Sequence, residues 1–109
     1  MPAGDLDRRI TIYRPSERKG PYNDEQLIEW TEVGQAWASV EISGGTEVEI
    51  DGQENERTTG VFRTWYRTDI DKTMKITFDG RDYHVKTVEE IGRRYMIEIT
   101  AEYIEGYAQ

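Results

Sequence analysis

Apolar and polar positions alternate along most of the chain, in short runs separated by Gly, Pro, Asn and Asp. That period-two pattern predicts strands. Residues 9–14 form a β-branched run with Ile10 and Ile12 on one face, and Pro15 is expected to end it, because proline cannot donate to a ladder. Residues 16–24 read as an exposed polar loop. Residues 27–33 are a strand candidate, and residues 35–42 are a stronger one, with small Ala36 and Ala38 alternating against Trp37 and Ser39. Later in the chain, residues 57–68 place Phe62, Thr64 and Tyr66 on one face and Val61, Arg63, Trp65 and Arg67 on the other. Met74, Ile76 and Phe78 share a face and lead into Asp79-Gly80, a dipeptide suited to a type I′ hairpin turn. Residues 81–88 form the return strand, with Tyr83 and Val85 inward. A turn around Gly92 follows, and residues 95–103 close the series with Ile97, Ile99, Ala101 and Tyr103 inward.

The alternation fails in the middle. Ser43, Gly44 and Gly45 break the pattern, and residues 46–55 read as a long charged loop with Val48 and Ile50 set among acids. A short helix there would be interrupted by Gly52, at a cost of roughly 1 kcal/mol relative to Ala. The expected fold is therefore all-β: a small antiparallel barrel or sandwich of six to seven strands, with a long central loop that has room for at most a short helix. The whole chain, 1–109, reads as one domain, and residues 43–56 as a long acidic loop within it.

Charge sharpens that division. From Gly20 to Glu56 there are ten acidic residues and no lysine or arginine. The formal net charge of the 109-residue chain is −8, which disfavours an isolated nucleic-acid binder because phosphate contacts need a basic face. There is no cysteine, hence no disulfide framework and no cysteine-based zinc site. The first residues do not look like a signal peptide and no apolar run approaches a bilayer's thickness, so a soluble cytoplasmic product without a membrane partner is expected.

Candidate chemistry is sparse. His84 is the only histidine and reads as a surface residue. Ser/His and Cys/His nucleophile arrangements find no supporting spacing. Asp69 and Asp71 could form a carboxylate site, but Asp at this spacing more commonly makes turns. No catalytic, cofactor-binding or metal-binding residue is assigned, and no enzyme is expected. Val61, Arg63, Trp65 and Arg67 are a different matter: tryptophan and arginine on one strand face are common interface anchors. The alternatives are the second buried face of a sandwich, or an exposed face that carries a tryptophan by chance. Trp30 and Trp37 are assigned to the core or its rim. An oligonucleotide-binding barrel stays open as a remote reading, although overall acidity opposes it.

In order along the chain, several segments resemble the phage head–tail joining proteins, also called head-completion, stopper or head–tail adaptor proteins. They are Arg8-Arg9-Ile10-Thr11-Ile12-Tyr13-Arg14-Pro15, Glu29-Trp30-Thr31-Glu32-Val33, Ala36-Trp37-Ala38-Ser39-Val40-Glu41, Ser43-Gly44-Gly45-Thr46-Glu47, Phe62-Arg63-Thr64-Trp65-Tyr66-Arg67 with Ile70, and the run from Met74 to Tyr83. The resemblance implies a small β-barrel forming a ring with copies of itself at the head–tail connector of a virion, after assembly in the host cytoplasm. It also implies a portal-side adaptor and a tail protein as partners, with genomic DNA passing through without sequence-specific binding. The family's central loop is implied to reach the channel. Here that loop comprises Ser43, Gly44, Gly45, Thr46, Glu47, Val48, Glu49, Ile50, Asp51, Gly52, Glu54 and Glu56. A tail-terminator or tail-completion protein is the neighbouring alternative.

Overall fold

Inward-facing positions of a small closed sheet must fill its interior with side chains, and the predicted inward residues do so. The computed structural model describes residues 6–19, 26–50 and 52–104. They form six strands: β1 (Arg8–Lys19), β2 (Gln26–Ile50), β3 (Gln53–Trp65), β4 (Lys75–Phe78), β5 (Arg81–Ile91) and β6 (Met96–Ile104). All pairings are antiparallel and close a barrel in the order β1-β2-β3-β6-β5-β4. No helix occurs among the described residues. Ile10, Ile12, Ala38, Phe62, Ile70, Met74, Ile76, Tyr83, Val85, Ile97, Ile99 and Ala101 make one buried cluster, with Tyr66, Phe78 and Tyr103 packed against it. Phe62 sits at its centre, edge-on to Tyr83 at 5.4 Å and to Phe78 at 6.0 Å.

Thr64 is buried among these apolar side chains, and its Oγ1 donates to the Trp37 carbonyl at 2.7 Å. A buried hydroxyl is tolerated when it is hydrogen-bonded. Gly60 is required for space: a Cβ there would stand 2.7 Å from the Phe62 ring. It faces inward in β3, laddered to Ile42 and Ala101, so its role is packing. The Asp79-Gly80 turn forms as expected, with both residues at positive φ (54° and 78°) between paired Phe78 and Arg81.

Three expectations about element boundaries need correction. Pro15 does not end β1, which runs on to Lys19. The β4 ladder covers β1 only from Thr11 to Tyr13, so from Arg14 onward β1 is an edge, where a missing N–H donor is tolerated. The expected loop at 16–24 is strand as far as Lys19, and its remainder lies outside the described residues. The candidates at 27–33 and 35–42 are one continuous strand of 25 residues, with a register shift opposite Ile12 and Tyr13.

A fourth correction bears on function. Residues 46–50 and 53–55 are not a loop but the paired end of the β2–β3 hairpin. Thr46, Glu47, Val48, Glu49 and Ile50 stand opposite Arg57, Glu56, Asn55, Glu54 and Gln53. Two residues, Asp51 and Gly52, separate Ile50 from Gln53, and Gly52 has φ 78°. The connection is two residues long between alternating runs, with β-branched Thr46, Val48 and Ile50 on the incoming strand. The abundance of charge obscured a pattern that is otherwise as regular as the one at Asp79-Gly80.

A straight strand of 25 residues would run about 80 Å, yet the longest dimension of the molecule is 49 Å. β2 therefore bends, and its two register shifts, at Val33 and at Gly44-Gly45, are where bulges turn it. Ala38 is the one residue of β2 laddered on both sides, to Arg8 and to Thr64. On either side of it β2 continues past the barrel as half of a two-stranded arm.

Candidate functional site

The first arm pairs residues 14–19 of β1 with 26–31 of β2, and the second pairs residues 46–50 of β2 with 53–57 of β3. They leave from opposite ends of β2. Their attachments differ. Trp30 of the first arm lies against the outside of the barrel, where the Lys75 ammonium sits 4.5 Å from its ring centroid and 5.4 Å from that of Tyr13. The same Nζ is 3.2 Å from Asp82 Oδ2, while Thr77 Oγ1 donates to Asp82 Oδ1 at 2.7 Å. His84, opposite Lys75 in the ladder, meets Trp30 edge-on at 5.9 Å. His84 is thus half-buried under an aromatic ring and not a plain surface residue. Burial of Asp82 pushes its pKa up, but the Thr77 hydroxyl and the Lys75 ammonium outweigh that and hold it below the usual carboxylate range.

The second arm contains most of the predicted channel segment. Ser43 and Gly44 are exposed, and the register shifts between Ser43 and Thr46, so Ser43, Gly44 and Gly45 form the bulge at the arm's root. Thr46, Glu47, Val48, Glu49 and Ile50 follow in β2, Gly52 lies in the turn, and Glu54 and Glu56 are in β3. Asp51 lies outside the described residues. Glu47 stands opposite Glu56, and Glu49 opposite Glu54. Directly opposed like charges destabilise a ladder, so the arm keeps its acids at a cost to its own pairing. Its root is tied to the barrel by Arg57, whose Nη1 is 3.4 Å from Glu102 Oε2.

The predicted contact residues Val61, Arg63 and Trp65 do point outward from β3, and no second sheet covers them. Trp65 is 45% exposed and stacks edge-on with Tyr95 at 5.7 Å. Arg63 is held within the barrel, its Nε donating to Glu98 Oε2 at 2.7 Å. Arg67 makes a two-pronged pair with Asp69, at 2.6 and 2.7 Å, that holds the Asp69 carboxyl below its ordinary pKa. The neighbouring Asp71 carboxylate accepts from the Thr73 backbone N–H and hydroxyl, which lowers its pKa too. Asp71 thus makes the turn contacts that its spacing suggested, whereas Asp69 is taken by an ion pair with Arg67. No cluster of three or more candidate metal ligands occurs among the described residues.

Trp37 was misplaced by the sequence reading: it is outward and 49% exposed, with the Arg9 guanidinium 4.6 Å from its ring centroid. The signal was available, since Ala36 and Ala38 are the small residues a narrow barrel takes inside. The Trp30–Lys75 contact had no local signal, because its residues come from four different strands.

Comparison with known proteins assigns this architecture. A family model described as phage head completion protein matches residues 1–104. The chain belongs to that family. Phage head completion proteins are structural components of virion assembly, and the expected resemblance is confirmed over nearly the whole chain. Among solved structures, a protein of Shigella flexneri 2a known from its solution structure is 25% identical, with a TM-score of 0.69 over 94% of this chain and 96% of that one. A chain from the virion of a native gene transfer agent particle is 16% identical, with a TM-score of 0.60 over 91% of this chain and 94% of that one. That second likeness shows the shared fold. No curated relative matches.

Proposed function

We propose that this head completion protein assembles as a ring beneath the portal and its adaptor, closes the DNA channel with its β2–β3 arm, and offers the docking surface for a tail. The observation that carries the reading is the arm itself. Among the described residues, beyond Arg57 it pairs with nothing but its own two strands, and it lies within the stretch of the chain that has ten acids and no lysine or arginine. In a ring, one arm per subunit brings many like charges around an axis. DNA passing such a wall is repelled and not retained, while Val48 and Ile50 supply apolar contacts for closure. The bulge at Gly44-Gly45 is the point where the arm changes direction between closed and open positions. Val61, Arg63, Trp65 and Arg67 belong to the face that meets neighbouring subunits or connector partners. Binding and gating account for the role with no chemical step.

Electron microscopy of particles from a phage lacking this gene tests the proposal. Empty heads beside separate, complete tails are the expected result. Full heads whose tails are absent or of irregular length would move the protein to the tail side, and normal virions would remove it from head completion.

A further inference from the structure

The first arm is a two-stranded ribbon with two open edges, and the two are not alike. Among the described residues, β4 covers β1 only as far as Tyr13, and β3 reaches β2 only from Ala38. Pro15 stands opposite Trp30. Opposed residues of an antiparallel ladder either exchange two backbone hydrogen bonds or turn their backbone groups away from each other. Pro15 has no N–H, so this pair is of the second kind. Trp30 therefore turns its N–H and C=O to the open side of β2. The register is unbroken from the Tyr13–Glu32 pair to the Lys19–Gln26 pair, so Ile28 and Glu32 do the same. The open edge of β1 includes Pro15, a residue that blocks strand addition. The open edge of β2, from Gln26 to Glu32, holds no proline, lysine or arginine.

That unguarded edge is partly apolar and acidic. Ile28, Glu29, Thr31 and Glu32 are exposed. Ile28, at 60%, is the most exposed large apolar side chain among the described residues and shares a strand face with Trp30. Glu32 shares that face too, and no cation among the described residues pairs with it. Trp30 lies 4.5 Å from Lys75 Nζ and meets His84 at 5.9 Å, so the barrel holds the edge already ordered, which lowers the cost of binding. A second copy fits the edge poorly. Two β2 edges would bring glutamates side by side, and a β1 edge would bring Pro15. The segments of this chain outside the described residues, 1–5, 20–25, 51 and 105–109, contain no lysine or arginine. Charge complementarity therefore favours another protein.

We propose that the open edge of β2 from Gln26 to Glu32 takes an extended segment of a partner protein as an added strand, one that alternates apolar residues with lysine or arginine. Backbone bonds to Ile28, Trp30 and Glu32 hold the segment in register. Ile28 packs against its apolar side chains, and its basic ones meet Glu32 on one face and Glu29 on the other. Strand addition here is independent of channel closure, since it leaves the second arm and its glutamates untouched.

Hydrogen exchange of the full chain, followed residue by residue with NMR, tests the site. In the free protein the amides of Ile28, Trp30 and Glu32 should exchange faster than those of Glu29 and Thr31, which point to β1. A millimolar peptide of about eight residues alternating valine with lysine should slow the first three by at least about fivefold and leave the other two unchanged. The same peptide with glutamate for lysine should not. Ile28→Pro removes an edge donor without touching the ladder to β1 and should abolish the protection. Circular dichroism checks its folding, and Ile28→Lys with Glu32→Lys takes its place if it misfolds. Edge amides that stay fast with the lysine peptide, equal protection by the glutamate peptide, or a folded variant protected like wild type would each overturn the proposal. Slow edge amides in the free protein would do so as well. If they quicken on dilution, a second copy covers the edge, and if they do not, the chain covers it itself. None of these outcomes touches the head-completion role or the channel reading, which the particle micrographs decide separately.

Discussion

The two hairpin arms are built from the same strand and differ in what holds them. The first spends its tryptophan on the barrel: Trp30 covers Lys75, and Lys75 is tied to Asp82. The second has an arginine–glutamate pair at its root and opposed glutamates along its ladder. An arm clamped by an aromatic ring over a desolvated cation becomes part of the fold. An arm whose own pairing is electrostatically opposed gains less from its own ladder, and the proposed channel role draws on that difference.

The largest effect should come from breaking the clamp. Trp30→Ala is expected to cost about 2–3 kcal/mol through lost apolar burial and the lost cation–π contact, measured by urea denaturation. A cost below about 0.5 kcal/mol would mean the first arm is as independent of the barrel as the second. Next in size is the response to acid. Because Asp82 has a lowered pKa in the folded state, its contribution is fully present above the unfolded carboxylate value near 4 and is lost as pH falls through the lower folded value. Tryptophan fluorescence should therefore report the clamp loosening in that acid window, and Asp82→Asn should flatten the transition. If the asparagine variant titrated like wild type, another carboxylate would be responsible.

On the second arm the stability effects should be small and the functional ones large. Val48→Ser with Ile50→Ser should leave the urea midpoint close to wild type while particles carrying it leak DNA. Full genome retention would reject apolar closure by these two residues. Smallest of all, Glu49→Gln should raise the melting temperature of the monomer by about 1–2 °C, since it removes one member of an opposed pair. An unchanged or lower value would show that the glutamates do not oppose one another in the isolated chain.

Much of the barrel was legible in the chain itself. Period-two alternation identified the inward residues of β1, β3, β4, β5 and β6, and the Asp79-Gly80 turn identified the β4–β5 hairpin. These signals are local: a strand half-buried on one face must alternate, and a two-residue turn must tolerate positive φ. The same rules applied to Asp51-Gly52 would have revealed the second arm, where surrounding charge was taken as a sign of a loop. Charge decides solubility and partners, but β-branched alternation decides pairing. The acidic segment and the outward direction of Trp65 were also readable from the chain. Tertiary structure alone decided that Pro15 lies at an edge, because that depends on where β4 stops. It alone decided that Lys75 is caged by residues from neighbouring strands, and that Trp65 meets Tyr95 while Trp37 meets Arg9. Each of these depends on register between strands distant in the chain, and register is settled by closing the barrel around Phe62 and not by any short run of residues.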